Sequence, residues 1–365
     1  MKSHQNLGLK TVHQFHPVVT HGDAISNHIL SLRSILREWG MLSEIISEYP
    51  QPSFEAEAQH FHRYRRRTTS EDVILLHFSM GYSPGVMNWV RHIRGRKILV
   101  YHNITPAEYF IGVNGVYREV AWLGRQQLGR LATMVSDGWG DSTYNCLELQ
   151  AAGIAETRVL PIVIDPGFYN VPPDPELLRR LRAEPGPVVL FVGRVVPNKR
   201  LEDVILTFHY LKRYIRPTAQ LYFVGSHDQM EPYLDYLGTL VARLGLPDVH
   251  FEGHVSKEEL VAFYQGADVF LCMSEHEGFG VPLVESMNYG LPVVAYAAAA
   301  VPETMGDAGV LVHTKDPAYV AELVGVLLED EAWRSRIVAR QRDRARDFYP
   351  ESVAGILADA LGALR

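Results

Sequence analysis

The sequence predicts an α/β protein built from two doubly wound domains that face a central cleft, and three observations support this fold class. The chain has 365 residues, which is more than one hydrophobic core comfortably supports. Short apolar runs alternate with amphipathic segments along nearly the whole length, as expected for parallel sheets covered by helices on both faces. One interruption, residues 161–187, is rich in proline and glycine and predicts a connection between the domains.

The N-terminal part alternates between strand-like and helix-like stretches. Residues 24–40 have apolar side chains at helical spacing and end at Gly40, a residue typical of helix C-caps. The sequence predicts strands within residues 9–15, 43–47, 72–78, 96–103 and 132–138. We therefore predict a Rossmann-like domain over residues 1–168, followed by a linker over residues 169–186.

The alternation resumes after the linker and predicts a second Rossmann-like domain over residues 187–348. Its strands are predicted within residues 187–194, 220–226, 248–254, 268–274, 292–297 and 309–313. The remaining C-terminal sequence is helical, with a break expected at Tyr349–Pro350. In doubly wound sheets, ligands bind outside the carboxyl ends of the strands, so candidate site residues should follow strands.

The amino-acid composition limits which partners and which cellular compartment we expect. The net charge of -7 argues against nucleic acid as the main partner, because phosphate binding favours a basic face. Cys146 and Cys272 lie in no metal-type spacing and indicate a reducing compartment rather than a disulfide framework. The sequence has no signal-peptide core and no apolar run of membrane-spanning length, so we expect a cytoplasmic protein.

The stretch EHEGFGVPLVE, residues 275–285, places two carboxylates on either side of a Gly-Phe-Gly turn. A strand is predicted to end just before it, and a helix to begin near Val281 with a proline in its first turn. The N–H groups at the start of that helix form an anion site. Gly278 and Gly280 would let the backbone come close to a ligand.

Glu277 and Glu285 can reach one ligand, because the first follows the strand and the second lies about one turn into the helix. Carboxylates accept hydrogen bonds from pairs of hydroxyls, so a polyol is the natural ligand. Taken singly, each glutamate is more simply a loop acid or a group that complements the helix dipole. The combination of strand, turn, proline and two glutamates favours a functional interpretation.

A second candidate cluster follows the strand predicted within residues 187–194. Arg194 and Lys199 lie in FVGRVVPNKR, between that strand and the next helix. A guanidinium fork and an ammonium at the carboxyl end of a strand predict a diphosphate-binding pair. A solvated basic loop is an equally simple alternative, and the stretch lacks the Gly-Lys-Ser/Thr ending of a Walker loop.

These motifs resemble those of the retaining glycosyltransferases of family 4, which have the GT-B fold. The spacing of Glu277 and Glu285 matches the E-x7-E motif of the family, and Arg194 and Lys199 match its basic pair. The longer text LCMSEHEGFGVPLVESMNYGLPVVAY is similar as well. The resemblance covers essentially the whole chain and is most specific over residues 188–312.

The resemblance implies a role for each of these residues. Arg194 and Lys199 would hold the diphosphate of a nucleotide sugar and stabilise the leaving group. Glu277 would hold hydroxyls of the donor sugar, and Glu285 would bind the ribose. Backbone groups would contact the sugar and the phosphate at Gly278, Phe279, Gly280 and Val281.

The N-terminal domain would contribute to the same donor site. GDAISNHI, residues 22–29, is similar to the first strand-to-helix loop of the family, so Gly22 and Asp23 would close the cleft. Asp23 departs from the family, which usually has a second glycine there. The final helix, about residues 349–365, would pack back onto the N-terminal domain.

His102 lies in YHNITP, at the end of a predicted strand. Family members often carry a histidine here, near the donor sugar or the reacting centre, so the resemblance implies a catalytic role. A strand histidine is more often a satisfied structural residue, so this hypothesis depends on position and resemblance together. Asn103 is a weaker candidate, and GDSTYN, residues 140–145, is consistent with a helix cap.

The resemblance implies transfer of a hexose from a UDP or GDP sugar with retention of configuration and with no required cofactor. Positive groups would stabilise the charge that develops on the diphosphate. No Asp-x-Asp metal motif is present, and a divalent ion at Glu275-His276-Glu277 is a minority hypothesis. The alternatives are a phosphorylase or sugar-nucleotide epimerase of the same fold, and a non-catalytic nucleotide-sugar-binding protein.

The acceptor is expected on the N-terminal domain, and a glycan, a lipid-linked intermediate or a small molecule would suit. Two stretches are basic, residues 60–67 and 91–97, and each is either a solvated surface or a contact for an anionic membrane or a diphosphate-linked acceptor. For residues 60–67 the solvated surface is the preferred interpretation. Aromatic side chains could form an acceptor surface but at this spacing more often belong to the core: Tyr109, Phe110, Tyr117 and Trp122.

Overall fold

The computed structural model describes residues 8–20, 22–51, 54, 57–64 and 68–364. Contacts divide the chain into two compact units. The first unit comprises residues 1–106, 119–165 and 348–365, and the second comprises residues 107–118 and 166–347. Each has its own parallel sheet, so the predicted doubly wound α/β fold class is confirmed.

The first unit has a sheet of seven strands. They are β1 (Val12–Val19), β2 (Ile45–Pro50), β3 (Ala58–His60), β4 (Val73–Phe78), β5 (Arg96–Tyr101), β6 (Asp137–Gly140) and β7 (Thr157–Val159). Their order is β3-β2-β1-β4-β5-β6-β7, so the direction of succession reverses between β1 and β4. Doubly wound sheets bind ligands at the carboxyl ends of strands beside such a switch point.

The helices that follow these strands along the chain are α1 (Ala24–Glu38), α2 (Phe61–Tyr64), α3 (Pro84–His92), α4 (Gly115–Leu131) and α5 (Thr143–Ala151). Helix α1 begins after Asp23, whose side chain accepts a hydrogen bond from the backbone N–H of Ser26. Its buried apolar residues recur at helical spacing, as Ile29, Leu32 and Leu36 show. The amphipathic pattern therefore fixes which face of α1 covers the sheet.

The second unit has a sheet of six parallel strands. They are β8 (Val188–Val192), β9 (Gln220–Val224), β10 (Val249–Gly253), β11 (Val269–Cys272), β12 (Val293–Tyr296) and β13 (Val310–Val312). Their order is β10-β9-β8-β11-β12-β13, so the switch point lies between β8 and β11. Val269 of β11 pairs with Val189 of β8, which sets the carboxyl ends of both strands at one edge.

The helices of the second unit are α6 (Pro175–Arg182), α7 (Leu201–Tyr210), α8 (Glu231–Leu244), α9 (Lys257–Gly266), α10 (Val281–Asn288), α11 (Val301–Met305), α12 (Pro317–Glu329) and α13 (Glu331–Ala345). A 3-10 turn, Arg346–Phe348, follows α13. Within the described part of the chain, no helix is both long and apolar enough to cross a membrane.

The last helix, α14 (Pro350–Gly362), belongs to the first unit although it ends the chain. Its residues Val353, Leu357 and Leu361 are fully buried and share a hydrophobic cluster with Val12 of β1 and Leu32 of α1. The 3.6-residue period of these side chains explains why one face of α14 packs against this core.

Candidate functional site

The candidate site of the second unit lies at the switch point of its sheet. The loop after β8 carries Arg194 and Lys199, and the loop after β11 carries Glu277 and leads into α10. Because β8 and β11 are hydrogen-bonded neighbours, both loops leave the same edge of the sheet. The structure therefore brings together residues that lie about eighty positions apart in the sequence.

Lys199 and Glu277 form a partly buried ion pair. The Nζ atom of Lys199 lies 2.6 Å from each carboxylate oxygen of Glu277. The two side chains are 17% and 11% exposed, so their attraction is less screened than that of a surface pair. An ammonium has three N–H donors and these contacts take at most two, so Lys199 can also donate to an incoming anion.

Arg194 is exposed and is held by Tyr117. Its Nη2 atom donates to the Tyr117 hydroxyl at 2.8 Å, and the guanidinium lies 5.1 Å from the centre of the Tyr117 ring. The loop behind Arg194 is fixed by a backbone hydrogen bond of 2.9 Å from Val195 N–H to the carbonyl of Ser226. The guanidinium is therefore oriented before any ligand arrives.

The Gly-Phe-Gly turn between Glu277 and α10 is rigidly placed. Gly280 has φ of +94°, and a Cβ there would lie 2.8 Å from a methyl group of Leu283. Phe279 is buried, and its carbonyl accepts a hydrogen bond of 2.6 Å from Thr304. Val281 is the first residue of α10, so the turn delivers the positive end of the helix dipole to this edge.

Glu285 lies within α10 and is 6% exposed. One of its oxygens accepts a hydrogen bond from Tyr169, and the other accepts one of 2.5 Å from Tyr264. Burial raises the pKa of Glu285, while the two tyrosine hydrogen bonds act in the opposite direction. Tyr289 completes the cluster, since its ring stacks on Tyr264 at 5.2 Å and its hydroxyl donates to the Tyr169 carbonyl at 3.2 Å.

Glu275 is paired with cations of the protein. Lys315 lies 2.8 Å from its carboxylate and Arg200 lies 3.4 Å from it. These cations lower the pKa of Glu275 against the effect of its burial. Among the described residues, no group of three or more His, Cys, Asp or Glu side chains is arranged to hold a metal ion.

His102 is buried in the first unit, and both of its ring nitrogens have partners. Nε2 lies 2.8 Å from Nδ1 of His77, and Nδ1 lies 2.9 Å and 3.0 Å from the carboxylate oxygens of Asp141. The side chain is 1% exposed. A ligand can therefore hydrogen-bond to a nitrogen of His102 only where one of these contacts opens.

The residues around His102 take separate roles. Ser142 accepts from the backbone N–H of Asn145 at 3.3 Å and caps α5, whereas Asp141 binds His102. Asn103 adopts a left-handed backbone with φ of +73°, a conformation that asparagine tolerates better than most residues. Its amide donates to the Asn145 side chain at 2.8 Å.

Gly22 and Asp23 form the turn before α1. Gly22 has φ of +80°, and a Cβ built there would meet no atom within 4 Å. Asp23 accepts hydrogen bonds of 2.9 Å from both the backbone N–H and the hydroxyl of Ser26. Asp23 therefore acts as a helix cap, and its contribution to donor binding stays a prediction.

The candidate acceptor aromatics are not one surface. Phe110 is buried, Trp122 is 55% exposed, and the Tyr109 hydroxyl donates to Glu275 at 3.3 Å. Tyr117 binds Arg194 instead. Of the basic stretch over residues 60–67, the last three residues lie outside the described part of the chain.

Sequence reasoning missed the side chains that hold the site residues in place. Tyr169 and Tyr264 come from the predicted linker and from α9, while Lys315 follows β13. His77 lies on β4 inside the apolar run VILLHF, where a polar residue at a buried position was the one available signal. The tyrosines carry no comparable signal, because their positions relative to α10 depend on the tertiary fold.

Known proteins resemble this chain most clearly in its second unit. The family described as "Glycosyl transferases group 1" matches residues 176–344, which is less than half of the chain. A D-inositol 3-phosphate glycosyltransferase of Acidothermus cellulolyticus is 31% identical over 247 residues, covering 64% of this chain and 54% of the relative. A GDP-mannose-dependent alpha-(1-6)-phosphatidylinositol monomannoside mannosyltransferase of Mycolicibacterium smegmatis is 34% identical over 208 residues, covering 53% of each chain.

Solved structures extend the similarity to both units. Anabaena HepE in complex with UDP and glucose has a TM-score of 0.71 and 18% sequence identity, covering 96% of this chain and 99% of its own. The matched region spans about half the length of the curated relatives, from 42% to 60% in the first four. Residues 176–344 therefore match the group 1 glycosyl transferase family, in a chain that has the GT-B fold.

Proposed function

We propose that this chain is a retaining, family 4 glycosyltransferase. It would move a hexose from a nucleotide-diphosphate sugar to a glycan, a lipid-linked or a small-molecule acceptor. The observation that supports this most strongly is the arrangement at the edge of the second sheet. Lys199, Arg194 and the start of α10 supply positive charge there, while Glu277 precedes the Gly-Phe-Gly turn and Glu285 lies about one turn into α10.

The positive groups suit a leaving diphosphate. As the anomeric C–O bond breaks, negative charge develops on the diphosphate, and preoriented donors stabilise that charge without reorganising. Tyr117 holds the guanidinium of Arg194, and Glu277 holds the ammonium of Lys199. Glu277 would thus serve twice, by orienting Lys199 and by accepting hydrogen bonds from donor-sugar hydroxyls.

Retention follows in this proposal from a reaction on one face of the sugar. The acceptor hydroxyl forms the new bond to the anomeric carbon while the bond to the diphosphate breaks. The acceptor proton passes to an oxygen of the leaving phosphate, so no side chain of the protein has to form a covalent intermediate. This proposal assigns no step to a metal ion.

Ribose binding would require a rearrangement at Glu285. The hydroxyl of Tyr169 now donates to the carboxylate that the ribose hydroxyls would approach. A ribose hydroxyl is a donor of the same kind, so it can replace Tyr169 without leaving the buried carboxylate unpaired. The fully buried Tyr264 would keep its hydrogen bond to the second oxygen.

The relatives limit the donors that should be tested first. One relative is named as GDP-mannose-dependent, and HepE was solved with UDP and with UDP-glucose. UDP and GDP sugars are therefore our proposed donor classes. We propose an acceptor on the first unit, a cytoplasmic location, and metal-independent binding.

A nucleotide panel tests this proposal on the unmodified protein. The melting temperature is measured with UDP, GDP, ADP and dTDP, each with a chelator and with Mg²⁺. We expect UDP or GDP to stabilise the fold in chelator, by about 2.7 kcal/mol at a ligand concentration one hundred times Kd. Stabilisation only with Mg²⁺ would contradict metal independence, and no response to any nucleotide would contradict the donor site.

Two variants test which residues contribute to nucleotide binding and which to sugar transfer. Arg194→Ala should reduce the nucleotide-induced shift, and Glu277→Ala should abolish turnover while the protein stays folded. Release of nucleotide from the matching nucleotide sugar, with and without an acceptor panel, measures turnover. Full activity of either variant would contradict the role proposed for that residue.

A further inference from the structure

Asn198 is a buried polar residue in the loop after β8, and it directly precedes Lys199. It is 4% exposed. It is the middle residue of a 3-10 turn, Pro197–Lys199, in which the proline has a fixed φ and the Lys199 N–H donates to the Val196 carbonyl at 3.0 Å. A buried side-chain amide normally has hydrogen-bond partners, so the contacts of Asn198 indicate its role.

Two hydrogen bonds join Asn198 to the loop after β11. Its side-chain Nδ2 atom donates to the backbone carbonyl of His276 at 3.0 Å. A carbonyl oxygen only accepts, so the nitrogen of the amide must be the atom that faces it. The backbone carbonyl of Asn198 accepts from the N–H of Glu275 at 2.9 Å. Asn198 therefore holds two consecutive residues of the neighbouring loop.

The N–H donor is the group of this amide that the fold uses. The Oδ1 atom of Asn198 is buried and has no hydrogen-bond partner within the described ranges of the chain. Burying a carbonyl oxygen without a partner costs free energy, and an apolar side chain of the same branching would avoid that cost. The benefit of an asparagine at this position is therefore the hydrogen bond that joins the two loops.

These two hydrogen bonds lie beside the ion pair of the candidate site. Lys199 directly follows Asn198, and Glu277 directly follows His276. The Nζ atom of Lys199 lies 2.6 Å from each carboxylate oxygen of Glu277. A lysine ammonium lies at the end of a flexible four-carbon stem, so it has a defined place only when its backbone and its partner are both fixed.

A further link between the loops is weaker. Arg200 lies 3.4 Å from Glu275, but their side chains are 36% and 32% exposed, so solvent screens this pair more than the buried amide contact. The buried hydrogen bonds of Asn198 are therefore the stronger constraint on how the two loops align.

We propose that Asn198 is a positioning residue of the donor site, and that it acts through Lys199 rather than by touching the ligand. This inference rests on the proposed function, because it concerns the ammonium assigned to the leaving diphosphate. With the loops joined, the ammonium lies where negative charge develops as the sugar bond breaks. Without the amide donor the loops can separate, and a displacement of about 1 Å at such a group can cost about 100-fold in rate.

A double-mutant cycle on turnover tests this role. Nucleotide release from UDP-glucose and GDP-mannose is measured for the wild type, Asn198→Leu, Lys199→Ala and the double variant. Asn198→Leu should lower kcat about 10- to 100-fold, with a smaller effect on KM, since leucine has the same branching but no N–H. In the Lys199→Ala background the same change should cost less than about threefold. Equal losses in both backgrounds would overturn the proposal.

Gln341→Leu is the matched control. Gln341 is fully buried in the same unit, and its amide donates to the Leu291 carbonyl at 2.8 Å and accepts from the Val293 N–H at 3.0 Å. These contacts lie at the amino end of β12, whereas the candidate site lies at carboxyl ends of strands. Gln341→Leu should keep the wild-type kcat. A similar fall of kcat in both folded variants would mean that loss of a buried amide weakens the fold in general, and would overturn the positioning role.

A third measurement requires neither donor nor acceptor. Melting temperatures of the wild type, Lys199→Met, Glu277→Gln and their double variant give the coupling of the ion pair, as the departure of the shifts from additivity. The same four proteins are then made with Asn198→Leu, or with Asn198→Ala if the leucine variant does not fold. We expect the coupling to fall to about half or less, because the two loops are no longer joined beside the pair. An unchanged coupling would overturn the proposal.

The outcomes separate this inference from the proposed function. Reduced coupling in a chain that releases no nucleotide from either sugar donor would establish that Asn198 positions Lys199 and would overturn the transferase proposal. Nucleotide release by the wild type, with unchanged coupling in Asn198→Leu, would support the transferase and overturn the role of Asn198.

Discussion

The two units place polar side chains at the same point of similar sheets, but they arrange them differently. In the second unit, Arg194, Lys199 and Glu277 lie on loops that leave the ends of β8 and β11, partly accessible to solvent. In the first unit, His77, His102 and Asp141 are buried and satisfy one another. The comparison separates groups that are available to a ligand from groups whose hydrogen-bonding atoms are already occupied by one another.

The largest expected effect is the loss of activity when Lys199 is replaced. Lys199→Ala should reduce nucleotide release from the donor about 100- to 1000-fold, because a preoriented donor to the leaving group is lost. Lys212→Ala is the control, since Lys212 makes a 2.6 Å ion pair with Asp248 and belongs to the same unit. Its activity should stay near that of the wild type.

A second control separates loss of charge from loss of fold. Lys199→Ala leaves the Glu277 carboxylate partly buried without its partner, which costs stability. The double variant Lys199→Met with Glu277→Gln removes both charges and should melt closer to the wild type. If that folded protein still turns over at the wild-type rate, the ion pair has no part in the reaction.

The next effect is acid sensitivity of the first unit. Burial lowers the pKa values of His16, His28 and His77, in the case of His16 to about 4. Their unfolded pKa is about 6.5, so below that pH the unfolded chain binds more protons and stability falls. Each histidine should cost about 1.4 kcal/mol at pH 5.5, a loss that urea unfolding at pH 7.5 and 5.5 measures.

His16→Gln provides the control for this pH dependence. Removing one buried histidine should make the free energy of unfolding change less between the two pH values, by about 1.4 kcal/mol. The same pH slope in His16→Gln and wild type would show that His16 does not contribute. Hydrogen exchange of backbone amides in β1 and β4 would place the opening in the first unit.

The contrast between the units also explains what the sequence could predict. The residues from Glu275 to Glu285 are contiguous, so the strand, the turn and the helix start are visible as one pattern. The alternation of apolar runs likewise predicts both parallel sheets, since central strands such as β4 and β11 are short and buried on both faces. The order of residues is therefore sufficient to predict a candidate site when its residues lie on one continuous segment.

The hydrogen-bonded side chains around His102 could not be predicted in this way. Gln14 and His77 lie on β1 and β4, whereas His102 and Asp141 follow β5 and β6, so their contacts depend on the strand order and register. The sequence alone offers a structural alternative for His102 and a helix cap within residues 140–145. Similarly, Tyr169 reaches Glu285 from a segment whose proline and glycine content predicted only a linker.

Tyr169→Phe tests whether that tyrosine competes with the ribose. Removing its hydroxyl should tighten binding of the nucleotide severalfold, since a competing hydrogen bond contributes about 1 kcal/mol. Tyr264→Phe is the matched variant on the other oxygen of Glu285, where the hydroxyl is buried and has no replacement. Calorimetry should show tighter binding for the first variant and no gain for the second, together with a lower melting temperature.

Weaker binding by Tyr169→Phe would reverse this interpretation. It would mean that Tyr169 remains beside Glu285 when the nucleotide binds and contributes to the site. Equal behaviour of Tyr169→Phe and Tyr264→Phe would show that the carboxylate, rather than its partners, determines affinity.

The smallest expected effect is on stability, and it distinguishes two adjacent residues, Asp141 and Ser142. Ser142→Ala should lower the free energy of unfolding by about 1 kcal/mol, because it removes the hydroxyl that caps α5. The hydrogen bond between Asp141 and His102 should remain, since Asp141 supplies its carboxylate and Ser142 supplies only the cap. Urea unfolding of Ser142→Ala and of the wild type measures the loss. An unchanged free energy of unfolding would show that the cap hydrogen bond of Ser142 does not stabilise α5.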